Sequence, residues 1–127
     1  MLSAMERYSE KLLDYFRHPR NAGELASPSA AAEASNPVCG DALKLSVVME
    51  SGTLMQVRFK AAGCVPTIAC GSWLAEYLEN KRFSSLSSLA PASIEEALGG
   101  LPAASHHAAV LAADVLQGLL RELAKTA

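Results

Sequence analysis

The sequence predicts an α+β domain, a small antiparallel sheet of two or three strands with helices packed on one face. Three observations lead there. Two alternating apolar–polar runs, Leu43–Met49 and Leu54–Lys60, flank the short turn Glu50-Ser51-Gly52-Thr53, as in a hairpin. Apolar residues recur at helical spacing before and after that hairpin. Strands that are grouped rather than interleaved with helices argue for an antiparallel sheet covered by helices.

Taken in order, Tyr8–Arg17 reads as a short helix with Leu12, Leu13, Tyr15 and Phe16 on its apolar stripe. Pro19 ends it, because the residue before a proline avoids the helical region. Ala22–Ser35 is rich in Ala, Ser and Glu and reads as a loop or a weak edge strand. The hairpin follows. Pro66 then opens a helix at the position proline favours, and the pattern runs on to about Lys81 through Ile68, Trp73, Leu74, Tyr77 and Leu78. Ser84–Leu98 reads as one or two short helices broken at Pro91. Gly99-Gly100 is a break, and Ala103 to about Lys125 is strongly helical.

The 127 residues are expected to form one domain, 1–127. Apolar residues make up 50 %, but 23 of the 64 are alanine, so the core is expected to be Leu with closely packed Ala. Net charge is −2, which excludes non-specific nucleic-acid binding through a basic face. No apolar run reaches the roughly 20 residues of a membrane span. Met1–Arg7 has no apolar signal core, so a cytoplasmic protein is expected, with its three cysteines as thiols or metal ligands.

Chemically versatile residues fall at the ends of elements. In extended chain, Cys39 and Asp41 point the same way, and Gly40 between them adds no bulk. The same tripeptide also fits a turn around a buried cysteine. Cys64 stands just before the helix that Pro66 opens, where dipole and free amides favour a thiolate, which makes it the expected reactive thiol. It equally fits a packed thiol at a strand end. His106 and His107 are adjacent, so on a helix only one can face a given site. Cys70, inside the second helix, is most simply a core residue. There is no CxxC pair and no phosphate-binding glycine loop, which removes zinc-ribbon, thioredoxin-like and nucleotide-binding readings.

With these residues on the page a resemblance is visible. Tyr8-Ser9-Glu10-Lys11, His18-Pro19-Arg20-Asn21-Ala22-Gly23, Cys39-Gly40-Asp41, Phe59-Lys60-Ala61-Ala62-Gly63-Cys64 and Leu111-Ala112-Ala113-Asp114 resemble, in order, the segments of IscU/NifU-type iron–sulfur cluster assembly scaffolds. The resemblance runs from residue 8 to about 122. It implies a non-enzymatic scaffold or carrier that binds iron and a labile [2Fe–2S] cluster, and position by position it carries over Cys39, Asp41, Cys64 and His107 as the cluster and metal ligands. It implies a cysteine desulfurase and apo iron–sulfur acceptor proteins as partners, with zinc a further occupant of the purified protein.

The chain departs from the family at two places. Ala108 stands where the family has its third cysteine. Leu101-Pro102-Ala103-Ala104-Ser105 lacks the lysine and second proline of the LPPVK-like segment found in members served by an Hsp70-type chaperone, which weakens the expectation of chaperone handover. Two other classes compete: a degenerate member that binds zinc or iron as a regulatory module without assembling clusters, and a cysteine-nucleophile enzyme using Cys64, His107 and Asp41.

Overall fold

A computed structural model describes residues 7–126. The element order is α1 (Glu10–Arg17), β1 (Ala30–Ser35), β2 (Ala42–Glu50), β3 (Thr53–Ala62), α2 (Val65–Leu78), a 3-10 turn (Phe83–Ser85), α3 (Pro91–Ala97), a second 3-10 turn (Ala103–Ser105) and α4 (His106–Thr126). The three strands form one antiparallel sheet in the order β1-β2-β3. The predicted α+β class and three-stranded sheet are what the chain forms.

The β2–β3 hairpin closes on Ser51 and Gly52, both at positive φ (52° and 79°). A two-residue turn of that hand matches the twist of paired strands, and glycine tolerates its second position without strain. The alternation read from the sequence puts Leu43, Leu45, Val47, Val57 and Phe59 on one buried face. Helices α2 and α4 pack on that face, while α1 backs α2 and α3 backs α4. Helix α2 comes so close that a side chain at Gly71 would meet Leu43 Cδ1 and Phe59 Cδ2, each at 2.7 Å.

Ser9 caps α1 by accepting from the Leu12 amide, so the helix starts at Glu10 rather than Tyr8. The ambiguous Ala-rich stretch ends in a real edge strand, with Ala30 opposite Val47 and Ser35 opposite Ala42. Helix α2 stops at Leu78, short of the predicted Lys81. Glu79 is its C-cap, and Asn80 takes a left-handed φ of 70° and donates its amide to Leu54 O, which pulls the chain back to the sheet. Pro91 starts a helix instead of breaking one, since its missing amide costs nothing at the first helical position.

Candidate metal centre

Three junctions meet at one end of the sheet. The first is the β1–β2 loop, Asn36–Asp41. Its ends are tied by Asn36 N donating to Asp41 O at 2.8 Å, and the Asn36 side chain accepts from the Val38 amide at 2.9 Å. Gly40 takes φ +80°, which a residue with Cβ rarely adopts, and this turns the chain so that Cys39 is exposed while Asp41 is buried. The second junction is Gly63-Cys64, where β3 ends and α2 begins, Cys64 being the N-cap. The third is the first turn of α4.

Asp41 is the hub. Its Oδ2 accepts from Thr67 Oγ1 at 2.6 Å and from the Cys64 thiol at 3.1 Å, and it lies 3.4 Å from His107 Nε2. Cys64 Sγ is 3.7 Å from His107 Nε2 and 3.3 Å from Thr67 Oγ1. Cys39, Asp41 and His107 offer ligand atoms that all lie within 4.8 Å of one another. A side chain on Gly63 would overlap Oδ1 of Asp41, so glycine there is what admits the carboxylate.

The two adjacent histidines divide as helical spacing requires. His106 turns to Glu95 of α3, with Nδ1 3.1 Å from Oε1. His107 turns to the cluster, and its Nδ1 lies 3.2 Å from Ala104 O. A carbonyl only accepts, so that contact places a proton on Nδ1 and turns Nε2 toward Cys64 and Asp41.

Burial by itself pushes the Asp41 carboxyl up. The hydrogen bonds from the Thr67 hydroxyl and from the Cys64 thiol and amide, with His107 nearby, outweigh it and hold the group below its ordinary value. Cys64 moves the other way. Burial raises its thiol above the usual 9.0, and the bond to Asp41 and that group's negative charge add to the rise, opposed by the backbone amide of Thr67. This corrects the expectation of a thiol activated by the helix end, because burial, joined by a carboxylate 3.1 Å away, outweighs what the helix N-terminus offers. Cys39 is the exposed thiol instead. Cys70 is fully buried in the core and burial pushes its thiol up to about 12. Ala108, next to His107, is fully buried too.

Thr67 was not legible as a site residue. The available signal was its place three residues after an N-cap cysteine, on the turn whose side chains face the helix entrance.

The donor set suits a small soft-to-borderline cation. Bonds of about 2.0–2.3 Å to S, N and O require tetrahedral ligand–ligand edges of about 3.3–3.8 Å. The 3.4 Å and 3.7 Å separations from His107 to Asp41 and Cys64 fall in that range. A nucleophile triad is not formed, since Asp41 lies on the Nε2 side of His107 and the nitrogen that a triad carboxylate would orient lies against Ala104 O.

Fold and site together define the class: an α+β domain that gathers sulfur, carboxylate and imidazole donors at one end of its sheet. The chain belongs to the NifU-like N-terminal domain family, whose model matches residues 7–125. It is 40 % identical over 113 residues to the bifunctional protein NifU/MnmA of Rubrobacter xylanophilus, covering 87 % of this chain and 23 % of that protein. It is 33 % identical over 110 residues to the iron–sulfur cluster assembly scaffold protein IscU 1 of Archaeoglobus fulgidus, covering 87 % of this chain and 72 % of that one. The crystal structure of a NifU-like N-terminal protein from Brucella abortus has the same fold, with a TM-score of 0.75 at 18 % identity over 96 % of this chain and 97 % of that one.

Proposed function

We propose that this chain is an iron–sulfur cluster assembly scaffold or carrier that takes up iron and a labile [2Fe–2S] cluster as cargo and passes it to apoproteins. The observation that carries the reading is that Asp41 and His107 stand between two cysteines, with Cys39 in a cluster of ligand atoms within 4.8 Å of one another and Cys64 Sγ 3.1 Å from Asp41 and 3.7 Å from His107. Nε2 of His107 and Oδ2 of Asp41 face each other at 3.4 Å, a separation that two ligands of one small cation can share.

Two thiolates with one carboxylate and one imidazole match iron, and zinc equally well in protein as purified. Such a set holds a cluster less firmly than four thiolates do, which suits cargo meant to leave. The family relationship and names such as that of the Archaeoglobus relative support the same reading. Within it, a cysteine desulfurase supplies sulfur, apo iron–sulfur proteins receive the cluster, and residues 1–127 act as one non-enzymatic domain in the cytoplasm. No helix among the described residues is long and apolar enough to cross a membrane.

Anaerobic addition of iron and sulfide to metal-free protein tests this. The expected result is iron–sulfur charge-transfer absorption that disappears from the protein when an apo-ferredoxin is added and appears in the ferredoxin. Tight zinc binding with no cluster under any reconstitution condition would replace the scaffold with the regulatory metal-binding module.

A further inference from the structure

One buried hydroxyl lies inside the site, and the ligand set leaves it without a role. Thr67 is fully buried, and it stands on the first turn of α2, a rigid element, rather than on a loop. Its Oγ1 lies 2.6 Å from Asp41 Oδ2 and 3.3 Å from Cys64 Sγ. A hydroxyl has one proton, and the shorter separation assigns it to the carboxylate. Its lone pairs remain toward the sulfur.

We propose that Thr67 is a positioning residue, which fixes the Asp41 carboxylate with Oδ2 turned to Cys64 and His107 and Oδ1 held against Gly63. The proposal deepens the reading of this cluster as the cargo site and rests on it for its consequence in metal binding. The carboxylate is clamped from two sides. Glycine at 63 lets Oδ1 approach the backbone, and Thr67 takes one lone pair of Oδ2. One remaining lone pair on Oδ2 makes Asp41 a single-oxygen ligand.

The Cys64 thiol donates to the same oxygen in the metal-free protein. It loses that proton whenever sulfur binds a cation, because the thiolate is the ligand form. Thr67 then stays as the donor that keeps the carboxylate aimed. The hydroxyl acts through Asp41 and touches the cargo at no point. Partners of this kind, which orient a ligating side chain, usually change metal affinity by about 10–100-fold when removed.

The experiment compares native protein with Thr67→Val, which keeps shape and apolar packing but lacks the hydroxyl, and with Thr67→Ser, which restores it. Thr67→Ala against Thr67→Ser is the second pair if the valine variant does not fold. In metal-free protein, three-bond NMR couplings should show Asp41 in one side-chain rotamer in the native and serine forms, and averaged over rotamers in the valine form. Zinc affinity, measured by competition with a chromophoric chelator, should fall about 10–100-fold in Thr67→Val and recover in Thr67→Ser. An Asp41 rotamer that stays single without the hydroxyl overturns the proposal, as does unchanged zinc affinity. Rotamer averaging in a set of proteins that bind no zinc at all supports the positioning role and overturns the cargo reading instead.

Discussion

Cys39 and Cys64 both lie beside Asp41, but in opposite kinds of structure. Cys39 lies exposed on the β1–β2 loop, set by the Asn36 turn and by Gly40 at φ +80°. Cys64 is half-buried at the entrance to α2, engaged by Asp41, Thr67 and His107. One half of the site is therefore built in advance of any cargo, and the other half is presented to solvent. For the proposed cargo role the two halves are complementary: preorganised donors favour affinity and an open side favours exchange.

The strongest way to break the comparison is through its two glycines. In Gly63→Ala the new side chain overlaps the Asp41 carboxylate at φ +139°, so the built half is displaced. Urea unfolding should show a loss of about 1–3 kcal/mol, and zinc affinity should fall with it by more than the tenfold expected of a lost supporting contact. Gly40→Ala meets no neighbouring atom and carries only the strain of φ +80°, about 1–2 kcal/mol. Its effect on zinc should be the smaller of the two. Equal losses in affinity would erase the distinction between the halves.

Adding a thiolate sharpens the comparison on the cluster side. Ala108 follows His107 at the start of α4. Ala108→Cys should increase cluster yield and lifetime in anaerobic reconstitution, because clusters prefer thiolate ligands. If the lifetime stays unchanged while Cys70→Ala abolishes the cluster, Cys70 is the missing ligand and the core assignment of that residue is wrong.

Thiol alkylation of metal-free protein should follow exposure. Cys39 should be labelled first, and Cys70 only on unfolding, being fully buried with its thiol pushed up to about 12. Cys64 has its thiol raised above 9.0, so it is neutral at pH 7 and its labelling rate should still be climbing as the pH passes 9. Faster labelling of Cys64 than of Cys39 at pH 7, read by mass spectrometry, would contradict this order.

The smallest effect concerns the fold itself. Leu12, Leu45, Leu74, Leu116 and Leu119 are among the fully buried side chains of a core that includes no site ligand. A strong chelator should lower the melting temperature only by the linkage of bound metal and leave a cooperative transition. Loss of the transition on chelation would show a metal-dependent fold.

The sequence made most of this legible where its signals are local. Ser51-Gly52 between alternating runs announces the hairpin, Pro66 announces α2, and Cys39-Gly40-Asp41 carries two donors in three residues. Some departures are local, as where Ser9 sets the start of α1 and Pro91 opens α3; the larger ones come from contacts between distant positions. The end of α2 depends on the Asn80 amide reaching Leu54 O, which no periodicity shows. The edge strand β1 is nearly all alanine and owes its form to pairing with β2. The thiol of Cys64 follows its burial and Asp41, 23 residues earlier, rather than its own helix end, and Thr67 joins the site only because Asp41 folds onto it.

The proposed function requires two thiolates, one carboxylate and one imidazole to meet on a single cargo ion. Zinc K-edge X-ray absorption of the zinc-loaded protein tests it most directly. The expected spectrum has two sulfur scatterers at about 2.3 Å and two nitrogen or oxygen scatterers at about 2.0–2.2 Å, with one sulfur lost in each of Cys39→Ser and Cys64→Ser. A shell with no sulfur, or one that keeps both sulfurs when Cys39 or Cys64 is replaced, would contradict it.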